Sequence, residues 1–145
     1  MADDTGFADT RTRFATALAA IGSGDPLPYS GCWAESDDVT LFGAWGPIKQ
    51  GHAAVTETFR WVAGRFKGGG GLGGLVPDDR VVCVGADMAY TVGFERGEVV
   101  VDGGAPQSMV LRVTHIYRRF GDAWKLVHRH ADFPPPDQRL PGGGE

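Results

Sequence analysis

The stretch that most constrains this chain is Met109–Phe120, followed by Gly121-Asp122 and then Ala123–Phe133. Apolar and polar residues alternate on both sides of the Gly-Asp pair. That is the pattern of two antiparallel strands joined by a two-residue turn. Such a turn fixes a register, with Phe120 opposite Ala123, Tyr117 opposite Leu126, His115 opposite His128 and Arg112 opposite Ala131. Alternation then sorts the side chains onto two faces. One holds Leu111, Val113, His115, Tyr117, Trp124, Leu126, His128 and His130. The other holds Val110, Arg112, Thr114, Ile116, Val127, Arg129, Ala131 and Phe133. Neither face is simply polar, so both need cover. Helices can cover one, and the same sheet of a second copy can cover the other. A homodimer is therefore expected.

The front of the chain supplies the helices. Phe7, Arg11, Phe14, Leu18 and Ile21 fall at three- and four-residue steps, which predicts a helix over 6–22, capped by Asp4 or Thr5 and closed by Gly22-Ser23-Gly24. Pro26 to Trp33 reads as a short helix or turn. Val39–Trp45 alternates like a strand, and Gly46-Pro47 marks a turn. Ala53–Phe66 is a second helix with Val55, Phe59, Val62 and Phe66 on one face. Lys67–Gly74 contains six glycines. It lacks the Gly-Lys-Ser/Thr ending of a phosphate-binding loop and reads as a flexible connection. From Val76 onward the pattern is strand: Arg80–Val84, Met88–Arg96, and Val99–Val101 beyond a turn at Gly97. Helices first and strands after predict an α+β fold, a curved antiparallel sheet wrapped around N-terminal helices with a cone-shaped cavity. One domain is expected over 1–133, with a disordered Pro/Gly-rich tail over 134–145.

Charge and composition narrow the partners. The formal net charge is -4, and no basic run interrupts it, so no nucleic-acid partner is expected. No apolar run approaches the roughly 18 residues of a membrane span. The N-terminal Met-Ala-Asp-Asp-Thr-Gly has neither the basic nor the apolar region of a signal peptide. Cys32 and Cys83 read as reduced thiols, and the expectation is a cytoplasmic protein.

Several side chains could carry chemistry. His128-Arg129-His130 puts two imidazoles on one side of a strand, with His115 opposite, a set that could bind zinc. The same spacing suits half-buried, hydrogen-bonded histidines, and no metal and no cofactor are expected. Asp37 and Asp38 are candidate general bases, since a carboxylate in an apolar cavity has a raised pKa. His128 and His130 are candidate proton donors. Arg112 and Arg129, if buried, demand a partner: Asp132, Glu57, or an anionic ligand held by paired hydrogen bonds. Trp33, Trp45 and Tyr90 are candidate pocket aromatics for a flat hydrophobic ligand.

Trp33-Ala-Glu-Ser-Asp-Asp-Val-Thr-Leu-Phe42, followed by Gly51-His-Ala-Ala-Val55 opening a helix, resembles the front half of SnoaL-like proteins. The closing Arg112-Val-Thr-His-Ile-Tyr-Arg-Arg, the Gly121-Asp122 turn and Trp124-Lys-Leu-Val-His-Arg-His-Ala-Asp132 are similar to the same group. They are also similar to the association domain of calcium/calmodulin-dependent protein kinase. All belong to the nuclear transport factor 2-like, cystatin-like superfamily, and the resemblance spans roughly residues 7–133. It implies that Val127, Arg129 and Ala131 line the cone with Ile116, Thr114 and Arg112, while the histidine face meets a dimer mate. The sequence departs from the enzymes of the group. Arg129 stands where the epoxide hydrolases carry an acidic residue, and Thr114 or Ile116 where the isomerases carry theirs. The resemblance therefore implies a small-molecule-binding protein. It would be a cofactor-independent isomerase, cyclase, dehydratase or hydrolase acting by acid/base chemistry on a hydrophobic or anionic molecule, or else a non-catalytic ligand-binding or assembly module. A free carboxylate or histidine in the cavity would favour the enzyme, and arginines already paired in a narrow pocket would favour the module.

Overall fold

The computed structural model describes residues 4–69, 72–138 and 140. The expected capping side chains of Asp4 and Thr5, and residues 139 and 141–145 of the expected tail, lie outside the described residues. The elements run α1 (Asp4–Ile21), α2 (Leu27–Gly31), β1 (Thr40–Phe42), β2 (Ile48–Gln50), α3 (His52–Phe66), β3 (Gly74–Val84), β4 (Met88–Val99), β5 (Gln107–Phe120) and β6 (Ala123–Asp132). The six strands form one sheet in the order β2-β1-β6-β5-β4-β3. All neighbours are antiparallel except β1 and β6, which run parallel.

The helices lie on one face of this sheet because their apolar stripes demand it. α1 buries Phe7, Phe14, Leu18 and Ile21, and α3 buries Val55, Phe59, Ala63 and Phe66. Phe7 meets Tyr117 and Trp124 edge-on, at centroid distances of 4.9 and 5.4 Å, which fastens the start of α1 to the closing hairpin. That burial, rather than propensity, holds an isolated 18-residue helix in place.

Three local expectations change. The strand expected over Val39–Trp45 is only β1, and a tight turn through Gly43–Pro47 leads into β2. All three residues of β2 are exposed, so it carries no alternation signal. Gly97 is not a turn, since β4 runs through it to Val99. Gly93 and Gly97 instead let β3 come close: a Cβ on either would run into the carbonyl oxygen of Asp78 or Gly74. The sheet curls at these two points, and a bulge between Asp79 and Val81 adds to the bend.

The third change is in the hairpin. The turn is as expected, with Phe120 opposite Ala123 and Tyr117 opposite Leu126. Between Ile116 and Tyr117 the register then shifts by one, with Val127 as the extra residue. His115 consequently pairs with Arg129 rather than His128, and Arg112 with Asp132 rather than Ala131. Beyond the bulge, β6 has exchanged faces. Arg129 and Ala131 join His115 and Val113 inside, while His128 and His130 join Thr114 and Arg112 outside. The physical reason is local: consecutive Leu126 and Val127 are both buried, and strict alternation cannot bury both.

Candidate ligand cavity and its buried charge chain

Between the helices and the concave face lies a cavity of about 70 Å³. Leu18, Ile21, Phe59, Phe66, Leu75 and Leu111 form part of its apolar wall. Trp45, Trp61 and Phe133 also line it, and Trp61 and Phe133 are half-exposed. Trp45 is fixed by Phe66 at 5.1 Å and by the Arg65 guanidinium, 4.0 Å over its ring. The cavity is about half the ~150 Å³ that accommodates benzene in an engineered apolar core. It suits a fragment of a few heavy atoms.

Among the described residues, Arg129 is the only charged one lining it. The guanidinium is buried and donates to both carboxylate oxygens of Glu95, Nη1 to Oε2 at 2.7 Å and Nη2 to Oε1 at 2.9 Å. Burial opposes its charge, but the Glu95 carboxylate outweighs that and raises the arginine pKa above its ordinary value. From Arg129 the polar contacts continue away from the cavity. Its Nη1 lies 2.9 Å from His115 Nε2, and His115 Nδ1 lies 3.2 Å from Arg11 Nη1. Arg11 also donates to the Tyr117 hydroxyl at 3.0 Å and forms a two-pronged pair with Asp79. This chain joins α1, β3, β4, β5 and β6.

The electrostatics follow from burial. His115 is 1% exposed, and desolvation, with Arg129 and Arg11 adding to it, pushes its pKa well below 6.5. It is therefore neutral at physiological pH. Two guanidiniums face two carboxylates, so the chain is balanced without any ligand. Tyr117, buried and opposed by Arg11, is pushed up to about 12. Arg129 has five N–H donors, of which two face Glu95 and one faces His115. Its Nε–H and one Nη2–H have no partner among the described residues. Tyr29 also lines the cavity, and its hydroxyl has no hydrogen-bond partner among the described residues. Thr58, the other polar wall residue, spends its hydroxyl hydrogen on the Ala54 carbonyl at 2.9 Å.

Of the residues singled out in the sequence, Arg129 and Trp45 line this cavity. Trp33 is buried against Phe59 but is not part of the wall. Arg112 and Thr114 lie on the outer face, contrary to the expectation that they line the cone, because the bulge turns Arg129 and Ala131 to the inner face with Leu111, Val113 and His115 and leaves Arg112 and Thr114 on the other side of β5. Arg112 is paired there with Asp132 at 2.7 and 2.8 Å. Tyr90 is exposed on the same outer face. His128 and His130 flank Phe42 there, and the Thr40 hydroxyl is 2.7 Å from His128 Nδ1. Burial, then His130, lowers the His128 pKa. His115 lies on the opposite side of the sheet, so the three imidazoles do not converge. Among the described residues no group of three or more His, Cys, Asp or Glu could hold a metal ion. Asp37 and Asp38 sit on an exposed loop outside the cavity. Asp38 accepts from Ser36 at 2.5 Å and faces Arg118 at 3.5 Å. Ser36 is the larger cause of its lowered pKa.

The site residues that sequence reasoning did not find are Glu95, Arg11 and Tyr29. Two of them left a trace. Glu95 is in phase with buried Ala89, Thr91 and Val99 along β4, and Arg11 sits inside the apolar stripe of α1. A charge at an apolar position is the mark of a buried pair.

The fold and this cavity can be set beside known proteins. Residues 11–136 match the model of the SnoaL-like domain. A search of curated protein sequences finds no match. Among solved structures, an NTF2-like protein of unknown function in nutrient uptake from Rhodospirillum rubrum is 30% identical, with a TM-score of 0.66 over 89% of this chain and 98% of that one. A ketosteroid isomerase-like protein from Erwinia carotovora atroseptica is 16% identical, with a TM-score of 0.70 over 89% of this chain and 96% of that one. A candidate calcium/calmodulin-dependent protein kinase II association domain from Xanthomonas campestris is 18% identical, with a TM-score of 0.70 over 88% and 87%. The last two likenesses concern the fold alone. With its helices, curved six-stranded sheet and family match over most of its length, the chain belongs to the SnoaL-like domain family and has the NTF2-like fold.

Proposed function

We propose that this chain is a small-molecule-binding module. Its cavity takes a short apolar molecule that carries one neutral hydrogen-bond acceptor. The observation that carries this reading is Arg129. It lines the cavity with two N–H groups unengaged, yet its charge is already balanced by Glu95. An acceptor oxygen placed there takes up unengaged donors beside an apolar wall, where a hydrogen bond is worth more than in water. A carboxylate would bring a net negative charge into a neutral, buried cluster, and that is costly. The unpartnered Tyr29 hydroxyl offers a further hydrogen bond. Among the described residues no carboxylate lines the wall, and His115 stands behind Arg129 rather than in the cavity, so binding is better supported than acid/base turnover.

The test compares two ligands of nearly equal shape, propionamide and propionate, by fluorescence of Trp45 and Trp61 and by chemical-shift titration. Propionamide is expected to perturb the cavity residues at millimolar concentration and to bind at least about tenfold more tightly, the effect of about 1.4 kcal/mol. Tighter binding of propionate would overturn the neutral-acceptor reading. If neither ligand perturbs cavity residues, the cavity is not a binding site.

A second reading concerns assembly and rests on the outer face of the sheet. Phe42, Val81, Met88, Tyr90 and Val92 are all exposed large apolar residues there. The charges around them are already paired within the chain: Asp78 with Arg80 and Arg96, Arg112 with Asp132, and Arg118 with Asp38. With four guanidiniums against three carboxylates the rim is close to balance, so it repels its own copy little and fits a second copy of this chain better than a strongly charged partner.

A further inference from the structure

His115 faces more donors than it can serve. Arg129 Nη1 approaches its Nε2 at 2.9 Å and Arg11 Nη1 approaches its Nδ1 at 3.2 Å. Guanidinium nitrogens donate and have no lone pair to offer. A neutral imidazole has one N–H and one lone pair, so it can accept from only one arginine at a time. The other contact sets N–H against N–H. The ring is also confined, with Phe14 edge-on at 4.7 Å, Tyr117 beside it and Thr91 across from it in β4. It cannot turn away to escape the conflict.

We infer that His115 is a two-position tautomeric link through which occupancy of the cavity sets how firmly α1 is held. In one position the proton is on Nδ1 and Nε2 accepts from Arg129. Arg11 is then held by Asp79 and Tyr117 alone. In the other, Nε2 carries the proton and Nδ1 accepts from Arg11. Arg129 must then back away from the ring, toward the cavity that it lines. One proton leaves one nitrogen and one arrives at the other, so the charge of the cluster does not change. Both ends bias the same equilibrium, which is the requirement for coupling. A ligand acceptor in the cavity draws Arg129 toward itself and favours the second position, and α1 gains the Arg11–His115 hydrogen bond. This sign of the ligand effect rests on the cavity reading above. The tautomeric conflict itself does not.

The test uses the full chain with 15N-labelled histidine and long-range proton–nitrogen spectra, which report the protonated nitrogen directly. Two variants each remove one arginine. Arg11→Met keeps an apolar stem over Phe14 and should place His115 wholly in the Nδ1–H form. The double variant Glu95→Leu with Arg129→Met removes the buried pair together and leaves no orphaned charge. It should place His115 in the Nε2–H form. Both are checked for folding by circular dichroism, and either one against the wild type suffices if the other fails to fold. The same tautomer with and without each arginine, or a doubly protonated His115 in the wild type at pH 7, would overturn the link. Propionamide added to the wild type should raise the Nε2–H population and slow amide exchange across Phe7–Leu18. If tryptophan fluorescence reports binding while the tautomer populations stay fixed, the coupling is wrong and the cavity reading stands. If the arginine variants give opposite tautomers but propionamide does not bind, the cavity reading fails and ligand control of α1 fails with it.

Discussion

Burying a histidine between two arginines makes a definite statement about acid. The folded-state pKa of His115 is depressed by desolvation, with Arg129 and Arg11 adding to it. In the unfolded chain the same imidazole titrates near 6.5. Below that pH the unfolded state binds a proton that the folded state refuses, so stability falls as pH falls. The contribution is fully present above about pH 6.5 and is lost progressively toward the depressed folded value, with a limiting slope of about 1.4 kcal/mol per pH unit for one proton. The groups facing His115 are Arg11 and Phe14 from α1, Tyr117 from its own strand and Arg129 from β6, none of which is an acid that would rescue the imidazolium. Thermal melts between pH 7 and 5 should show the wild type losing stability before its carboxylates titrate. His115→Gln should melt lower at pH 7 and show a shallower slope over the same range. Equal slopes in the two proteins would mean that acid sensitivity originates elsewhere, His128 being the next group with a lowered pKa.

At the scale of elements, one inserted residue decides which side chains reach the cavity. Counting back from the Gly121-Asp122 turn gives the correct pairs as far as Tyr117 with Leu126, and the bulge at Val127 then turns β6 over. Alternation carries no mark of a bulge, so the faces of β5 were legible and those of β6 beyond Val127 were not. The family resemblance did better for Arg129 because it compares positions rather than counting them. α1 and α3 were legible because each has a strong apolar stripe, whereas three-residue β2, exposed throughout, has none. The curl of β3 was not legible either, since Gly97 in a strand looks like a turn. Its actual task can be tested. Gly97→Ala would set a methyl group on the Gly74 carbonyl oxygen, a backbone atom that cannot rotate aside. The pairing of β3 with β4 must then loosen at the point where Leu75 enters the cavity wall. A loss of about 2–3 kcal/mol is expected in denaturant melts, as for overpacking elsewhere. Wild-type stability in this variant would mean that the curl does not depend on the missing side chain.

The whole molecule has two unlike faces on one sheet, and they ask for different partners. The concave face is closed by α1 and α3 over a small cavity. The outer face presents Tyr90 and Val92 in the middle of β4, 43% and 39% exposed, in an apolar stretch with Val81 and Met88, and Phe42 lies across the sheet from them beyond His130 and Thr114. Stable interfaces bury about 800 Å² per partner, roughly a tenth of the 7780 Å² surface of this chain. A six-stranded face can supply that area, and stacked sheets approach to about 10 Å when their side chains interlock. If a second copy covers this face, size-exclusion chromatography with light scattering should give twice the mass of one chain at micromolar concentration. Val92→Asp puts a carboxylate beside its own counterpart at the centre of that contact, where like charges are desolvated together. It leaves the concave face and the Glu95–Arg129 pair untouched. The variant should therefore run as a folded monomer that still binds propionamide. A wild-type monomer throughout the micromolar range would refute the pairing, and a Val92→Asp dimer would mean that the copies meet through another surface.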